Sequence, residues 1–274
     1  MKNSLFAAVL AMLAFPAFGA IQYDFLQKNT MDDTAVPSTD LSARAVIDGQ
    51  RSRVDFLSGN TYPPGTYVVS KDGSRRLFFV DPLNKWYTEF NTDGVASAIG
   101  ASSLKVENTK ASVEKLPDEL VIAGIKTEHY QITLTYDITL DVRAMSLKQN
   151  VKTIIDNWTT AQFGDIVHTA FASSTRTGNA AIDELLDAEM SKVHGFPMRQ
   201  VVTIHTRIDL PQIQSQLKLP STRTIVHETS VTAVRELTAD PALFNIPAGY
   251  RRADTPELPK TATQTLQFDP PGTK

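Results

Sequence analysis

Cysteine is missing from all 274 residues. That absence excludes a disulfide framework, thiolate metal ligands and a cysteine nucleophile, and with them the acylated cysteine of a bacterial lipoprotein. Basic residues do not outnumber acidic ones: 27 stand against 30, a formal net charge of −3. Such a balance gives no electrostatic footprint for nucleic acid or anionic lipid headgroups, so neither is expected as a partner. No apolar run reaches the about 20 residues that a membrane-spanning helix needs, and no membrane anchor is expected.

Catalytic signatures are missing as well. The chain has no Gly-x-Ser-x-Gly elbow, no His-Glu-x-x-His, no phosphate-binding loop and no dinucleotide fingerprint. Ser102 with Lys105, and Ser112 with Lys115, meet a Ser-x-x-Lys count without the partner motifs of a penicillin-recognising enzyme. The histidines at 129, 168, 194, 205 and 227 are never three or four residues apart, the spacing that would set two on one metal. His129 and His205 fall on the polar faces of strands and read as satisfied or exposed strand residues. Asn157-Trp158-Thr159 matches a glycosylation sequon, a three-residue pattern that carries little weight alone. No catalytic residue, metal site or cofactor is therefore expected.

What is present starts at the N-terminus. Lys2 precedes an apolar stretch, Leu5 to Phe15, which Pro16 ends, and Ala17-Phe18-Gly19 supplies small residues for a signal peptidase. Residues 1–19 read as a signal peptide, which puts the mature chain in a bacterial periplasm or outside the cell. Residues 20–253 read as one domain. Residues 254–274, with Pro256, Pro259, Pro270 and Pro271, read as a flexible tail.

Within the domain the clearest pattern runs from His129 to Val142, where Tyr130, Ile132, Leu134, Tyr136, Ile138, Leu140 and Val142 alternate with polar residues. This is a long strand with one dry face. Asp48-Gly49 and Asp72-Gly73 mark hairpin turns, and further strands are predicted over Val151 to Phe163, from Met198 onward, and over Thr222 to Leu237. Small residues from Thr92 to Leu104 predict a short helix. A second helix, capped by Asn179, carries Ile182, Leu185, Leu186, Met190 and Val193 on one stripe. Its acidic side lacks calcium-loop spacing and reads as solvated surface. The segment Asp240 to Tyr250 reads as a closing turn that tucks Phe244 and Ile246 into the core.

The fold class that follows is mainly β (α+β), a strongly curved antiparallel sheet or incomplete β-barrel with two or three covering helices. So few helices leave a concave apolar face hard to fill, and an unfilled apolar face is a ligand cavity. Its candidate lining is Tyr130, Ile132, Leu134, Tyr136 and Ile138 from the long strand, Trp158 from the next, and Leu186 and Met190 from the helix.

The strand motif Ile122 to Tyr130, the Asn157-Trp158 strand, the Gly195-Phe196-Pro197-Met198 run and the closing Phe244 to Tyr250 resemble the periplasmic lipoprotein-carrier (LolA/LolB-like) superfamily over roughly residues 21–250. The resemblance implies a half-barrel with a helical lid over a hydrophobic cavity that holds or senses acyl chains, and no catalytic residue. The arginine that closes the carriers' lid has no matched counterpart in this chain. Three function classes remain, in this order: a carrier or sensor of a lipid or acyl-chain ligand, an envelope protein that acts through a protein partner, and an enzyme.

Overall fold

The computed structural model describes residues 19–32, 39–73, 76–91, 103–142, 145–164, 180–209 and 221–253. The strands are β1 (Ala20–Met31), β2 (Thr39–Asp48), β3 (Arg51–Gly59), β4 (Tyr67–Ser70), β5 (Arg76–Asp81) and β6 (Trp86–Asn91), then β7 (Ser103–Ile122), β8 (Ile125–Val142), β9 (Met145–Thr160), β10 (Phe196–Asp209), β11 (Thr222–Leu237) and β12 (Arg251–Arg252). They form one sheet in the spatial order β12-β6-β5-β4-β3-β2-β1-β11-β10-β9-β8-β7. The sheet does not close into a barrel. Two meanders, β1 to β6 and β7 to β11, meet where β1 pairs with β11, and every pairing is antiparallel except that of β12 with β6.

Local chemistry explains the turns. Gly49 takes φ +60° between β2 and β3, as the Asp-Gly pair predicts. Ala123 and Gly124 join β7 to β8 with φ of 49° and 80°, a two-residue turn that matches strand twist, although alanine adopts it only with strain. β7 is the edge strand, and this is why it tolerates Pro117. Pro117 and Asp118 fall in a register shift between Leu116 and Glu119, and a second shift follows Glu107.

Alternation sorts side chains into two faces. On the inner face, the one carrying the helix, Ile132 pairs with Ile155 and Ile155 with Val202. The row continues through His227 to Asn29. The largest apolar cluster lies further along this face, with Tyr23 and Phe25 of β1, Ala43 and Ala45 of β2, Phe56 of β3 and Phe196 of β10 all buried. Phe196 meets Tyr23 edge-on at 5.2 Å and Phe163 at 5.7 Å. The sharp entry into β10 depends on Gly195, whose φ is +93° and where an added Cβ would stand 2.6 Å from the Thr160 carbonyl oxygen.

On the outer face the chain after β11 runs back as a strap. Phe244, fully buried, packs with Ala20 and Val46, and Ile246 and Tyr250 cover Tyr67, Val69 and Val80. The Arg53 guanidinium bonds Asp55, donates to the Leu243 carbonyl and lies 3.8 Å over the Tyr67 ring, fixing the strap to β3 and β4. The residues expected in a closing turn are thus packed as expected for Phe244, while Ile246 is half-buried, and both lie outside the main cluster.

Several expectations need correction. Among the described residues there is one α-helix, α1 (Ala180–Met190), with 3-10 turns at Ala161–Phe163 and Pro241–Phe244, where two or three covering helices were expected. Of the helix expected at Thr92 to Leu104, residues 92–102 lie outside the described residues and Ser103 and Leu104 open β7. The strand expected to Phe163 ends at Thr160, whose hydroxyl accepts from the Gln162 N–H and caps the 3-10 turn. β10 begins at Phe196, two residues before the predicted Met198. The signal peptide up to residue 18 and the tail from residue 254 lie outside the described residues. No helix among the described residues is long and apolar enough to cross a membrane.

Candidate functional site: an apolar sheet face under one helix

Helix α1 sits on the inner face of β7 and β8 through a narrow stripe. Leu186, 3% exposed, packs in one cluster with Ile132, Ile155 and Val202. Ile182, 1% exposed and one turn earlier, packs in a second with Leu134, Tyr136 and Val151. Leu185, Met190 and Val193 line the margins, half-buried. Burial pushes the Tyr136 phenol up to about 12, with the nearby Asp183 charge adding to it.

Seven of the eight candidate lining residues are therefore brought to one face. Ile132, Leu134, Tyr136 and Tyr130 are buried there, Ile138 is half-buried, and Leu186 and Met190 approach from the helix. Trp158 is the correction. It pairs with His129, not with the even-numbered residues of β8, and alternation therefore puts it on the outer face. The inner positions of β9 are Val151, Thr153, Ile155 and Asn157.

A polar row crosses the apolar face. Asn157, Gln200 and Thr229 are each 2% exposed and stand at successive register positions, with the Gln200 amide donating to Asn157 Oδ1 at 2.9 Å. One row on, His227 Nδ1 lies 2.6 Å from Asn29 Oδ1. Burial pulls the His227 pKa below its ordinary 6.5, because the charged ring loses hydration there. The unfolded chain then binds more protons than the native one once the pH drops below about 6.5. The His227 contribution to stability is complete above that value and is lost as the pH falls through the depressed native value. Urea midpoints between pH 7.5 and 5 should fall for the wild type and fall less steeply for His227→Gln; equal slopes would remove His227 as the cause.

The outer face holds a constellation that sequence reasoning finds only in part. His129, 5% exposed, has Nδ1 2.8 and 2.9 Å from the two Asp118 oxygens and Nε2 3.0 Å from Asp156 Oδ1. Its ring stacks on Trp158 at 4.2 Å, and the Arg199 guanidinium, paired with Glu228, lies 4.8 Å from the same indole. The His129 hydrogen bond holds the Asp118 carboxyl below the usual carboxylate range. The Trp158 N–H lies beside that carboxylate without making a hydrogen bond to it. This arrangement ties the β7 register shift to β8 and β9. His129 is thus a satisfied strand histidine, and among the described residues no group of three or more metal-ligating side chains is placed to hold a metal.

Two shallow depressions also open outward. One, of about 220 Å³, lies beside the bidentate Arg44–Asp24 pair and Arg235, and one of about 130 Å³ adjoins Leu26 and Gly59. Leu26 and Leu57 are 42% and 45% exposed, and Val121 in the last turn of β7 is 72% exposed.

No family model matches the chain, and no curated protein matches it. An uncharacterized conserved protein from Thermus thermophilus is similar in structure over 87% of this chain and 91% of its own, with 10% sequence identity and a TM-score of 0.35. A LolA superfamily protein from Nitrosomonas europaea is similar over 84% of this chain and 91% of its own, with 9% identity and a TM-score of 0.31.

Proposed function

We propose that the chain is an exported bacterial protein that binds a lipid-like or acyl ligand on the inner face of its open sheet, beneath α1. One observation carries this reading: among the described residues, the apolar positions of β8 to β10 are covered by one short helix through two buried side chains, Ile182 and Leu186. Burying two such side chains stabilises the docked helix by about 3–6 kcal/mol. A chain of about ten methylenes brought onto the same surface gains about 8 kcal/mol before binding entropy is subtracted. The two magnitudes are comparable, so a ligand that lifts α1 regains what the helix gives up. The site has no catalytic role in this reading, and signal-peptide cleavage after Gly19 precedes it.

The experiment is titration of the purified mature protein with a fluorescent long-chain fatty acid. Micromolar binding is expected. Ile138→Glu, placed where the inner face is half-open, should weaken binding at least tenfold while leaving the circular dichroism spectrum unchanged. A wild type that takes up no lipid at micromolar concentration would instead favour an envelope protein working through a protein partner. The exposed Leu26 on the outer face and the exposed Leu57 at the β2–β3 register shift support that second reading.

A further inference from the structure

Beyond Glu128, which accepts from the Tyr130 hydroxyl and is paired with Lys115 of β7, the inner-face positions of β8 to β11 and β1 around α1 hold no carboxylate. They are Tyr130 to Ile138 in β8, with Ile155 and Val202 at their centre, and they run on to Gln27, Asn29 and Met31 of β1. One full charge stands among them, Arg223 of β11, register partner of Thr206, which in turn pairs with Val151 of the cluster under Ile182. Arg223 is half-buried. Its Nε is buried without an acceptor, and its Nη2 contacts only the Met31 thioether at 2.8 Å, a weak acceptor. No ion pair of the described residues reaches it. A guanidinium left in this condition costs stability, since its desolvated N–H has no partner to replace water. Planar, multiply donating and always charged, it is suited to an oxyanion that arrives from outside.

We infer that Arg223 anchors the anionic end of an amphiphile, a carboxylate or phosphate, whose apolar chain lies on the face covered by α1. The inference rests on the ligand reading given above and specifies the chemistry of the ligand's polar end. His227, two rows further along the same face, is occupied by Asn29 on one ring nitrogen and is half-buried, and Lys115 over the Tyr130 ring is ion-paired with Glu128, which leaves Arg223 as the unpaired cation of the described face. Burial also disfavours a charged His227. Carboxylate and phosphate ligands share this recognition, and only binding data separate them.

The test displaces a fluorescent fatty acid from the full mature protein with palmitate, hexadecyl phosphate and hexadecanol, which share one chain length and differ in head group. The wild type should bind one or both anions at least tenfold more tightly than the alcohol, and the stronger of the two names the source. Arg223→Met should remove that preference and leave hexadecanol affinity within twofold. Its apo melting temperature should stay level or rise, because the variant replaces an unsatisfied buried cation with an apolar chain of similar length. Equal affinity of the wild type for all three compounds would overturn the anchor while keeping the lipid reading. A melting temperature lowered by several degrees in Arg223→Met would make Arg223 structural and overturn it too. Failure of all three compounds to bind would remove the lipid reading and the anchor together.

Discussion

Phe196→Ala is expected to lower the unfolding free energy by about 3–5 kcal/mol, the range for deleting a buried aromatic side chain. Phe196 is 0% exposed and lies between Phe163 and Tyr23, each edge-on to it, so its removal leaves a void lined by rings that have little room to collapse. Backbone crowding compounds this. Gly195, just before it, already sits against the Thr160 carbonyl and leaves no slack for the strand to shift into the void. A domain is stable by only about 5–15 kcal/mol, so the variant should show a urea midpoint reduced by about a fifth or more. A loss under about 1 kcal/mol would mean that the aromatic contacts from β10 to β1 contribute little to the core.

Leu186→Asp should act on the helix and spare the sheet. The new carboxylate would face Ile132, Ile155 and Val202, where an ionised group costs several kcal/mol. That exceeds or matches the about 3–6 kcal/mol holding α1 down, so undocking the helix is the cheaper outcome. The expected result is rapid proteolytic cleavage between residues 180 and 190, a rise in binding of an apolar dye, and a sheet that still unfolds cooperatively. Leu186→Met keeps volume and polarity and should cost under about 1.5 kcal/mol. A Leu186→Asp protein whose helix resists protease as well as the wild type would show that α1 is held by something other than this stripe.

The parts of the fold legible in the sequence are those where one physical signal dominates. β8 alternates without interruption, and β11 occupies the predicted Thr222–Leu237. α1 carries a clean stripe and lies within its predicted span. β7 is not legible, because Lys and Glu residues, Pro117 and two register shifts break its alternation, and an edge strand can accept all of these. β1 escapes a sequence reading for a different reason: Gln27 to Thr30 in its second half is polar on both faces, so mainly Ile21, Tyr23 and Phe25 signal burial. Trp158 stands on the opposite face from the one its size and apolarity suggest. In β9 the inner positions include Thr153 and Asn157, and the large aromatic stands outside against His129. That relation depends on register and on Asp118, which reaches His129 from β7 through a register shift that no local pattern announces. Arg223 shows no sequence signal at all, since it reads as one polar residue at the start of an alternating strand.

The order of strands also sets a schedule for synthesis. β1 leaves the ribosome first, and β2 can pair with one of its edges almost at once, but the other edge belongs to β11, which emerges last of the long strands. Until then Ile21, Tyr23 and Phe25 border an open seam, and the two meanders mature as separate hairpin stacks with mostly neighbouring contacts. Their joining through Ala20–Leu237 is the long-range closure between them, so a nascent chain halted before Thr222 exposes an unpaired central strand to any other strand in reach. Fragments split between β6 and β7 would each keep their own hairpins and recombine along that seam and through the strap, which carries β12 of the second fragment to β6 of the first.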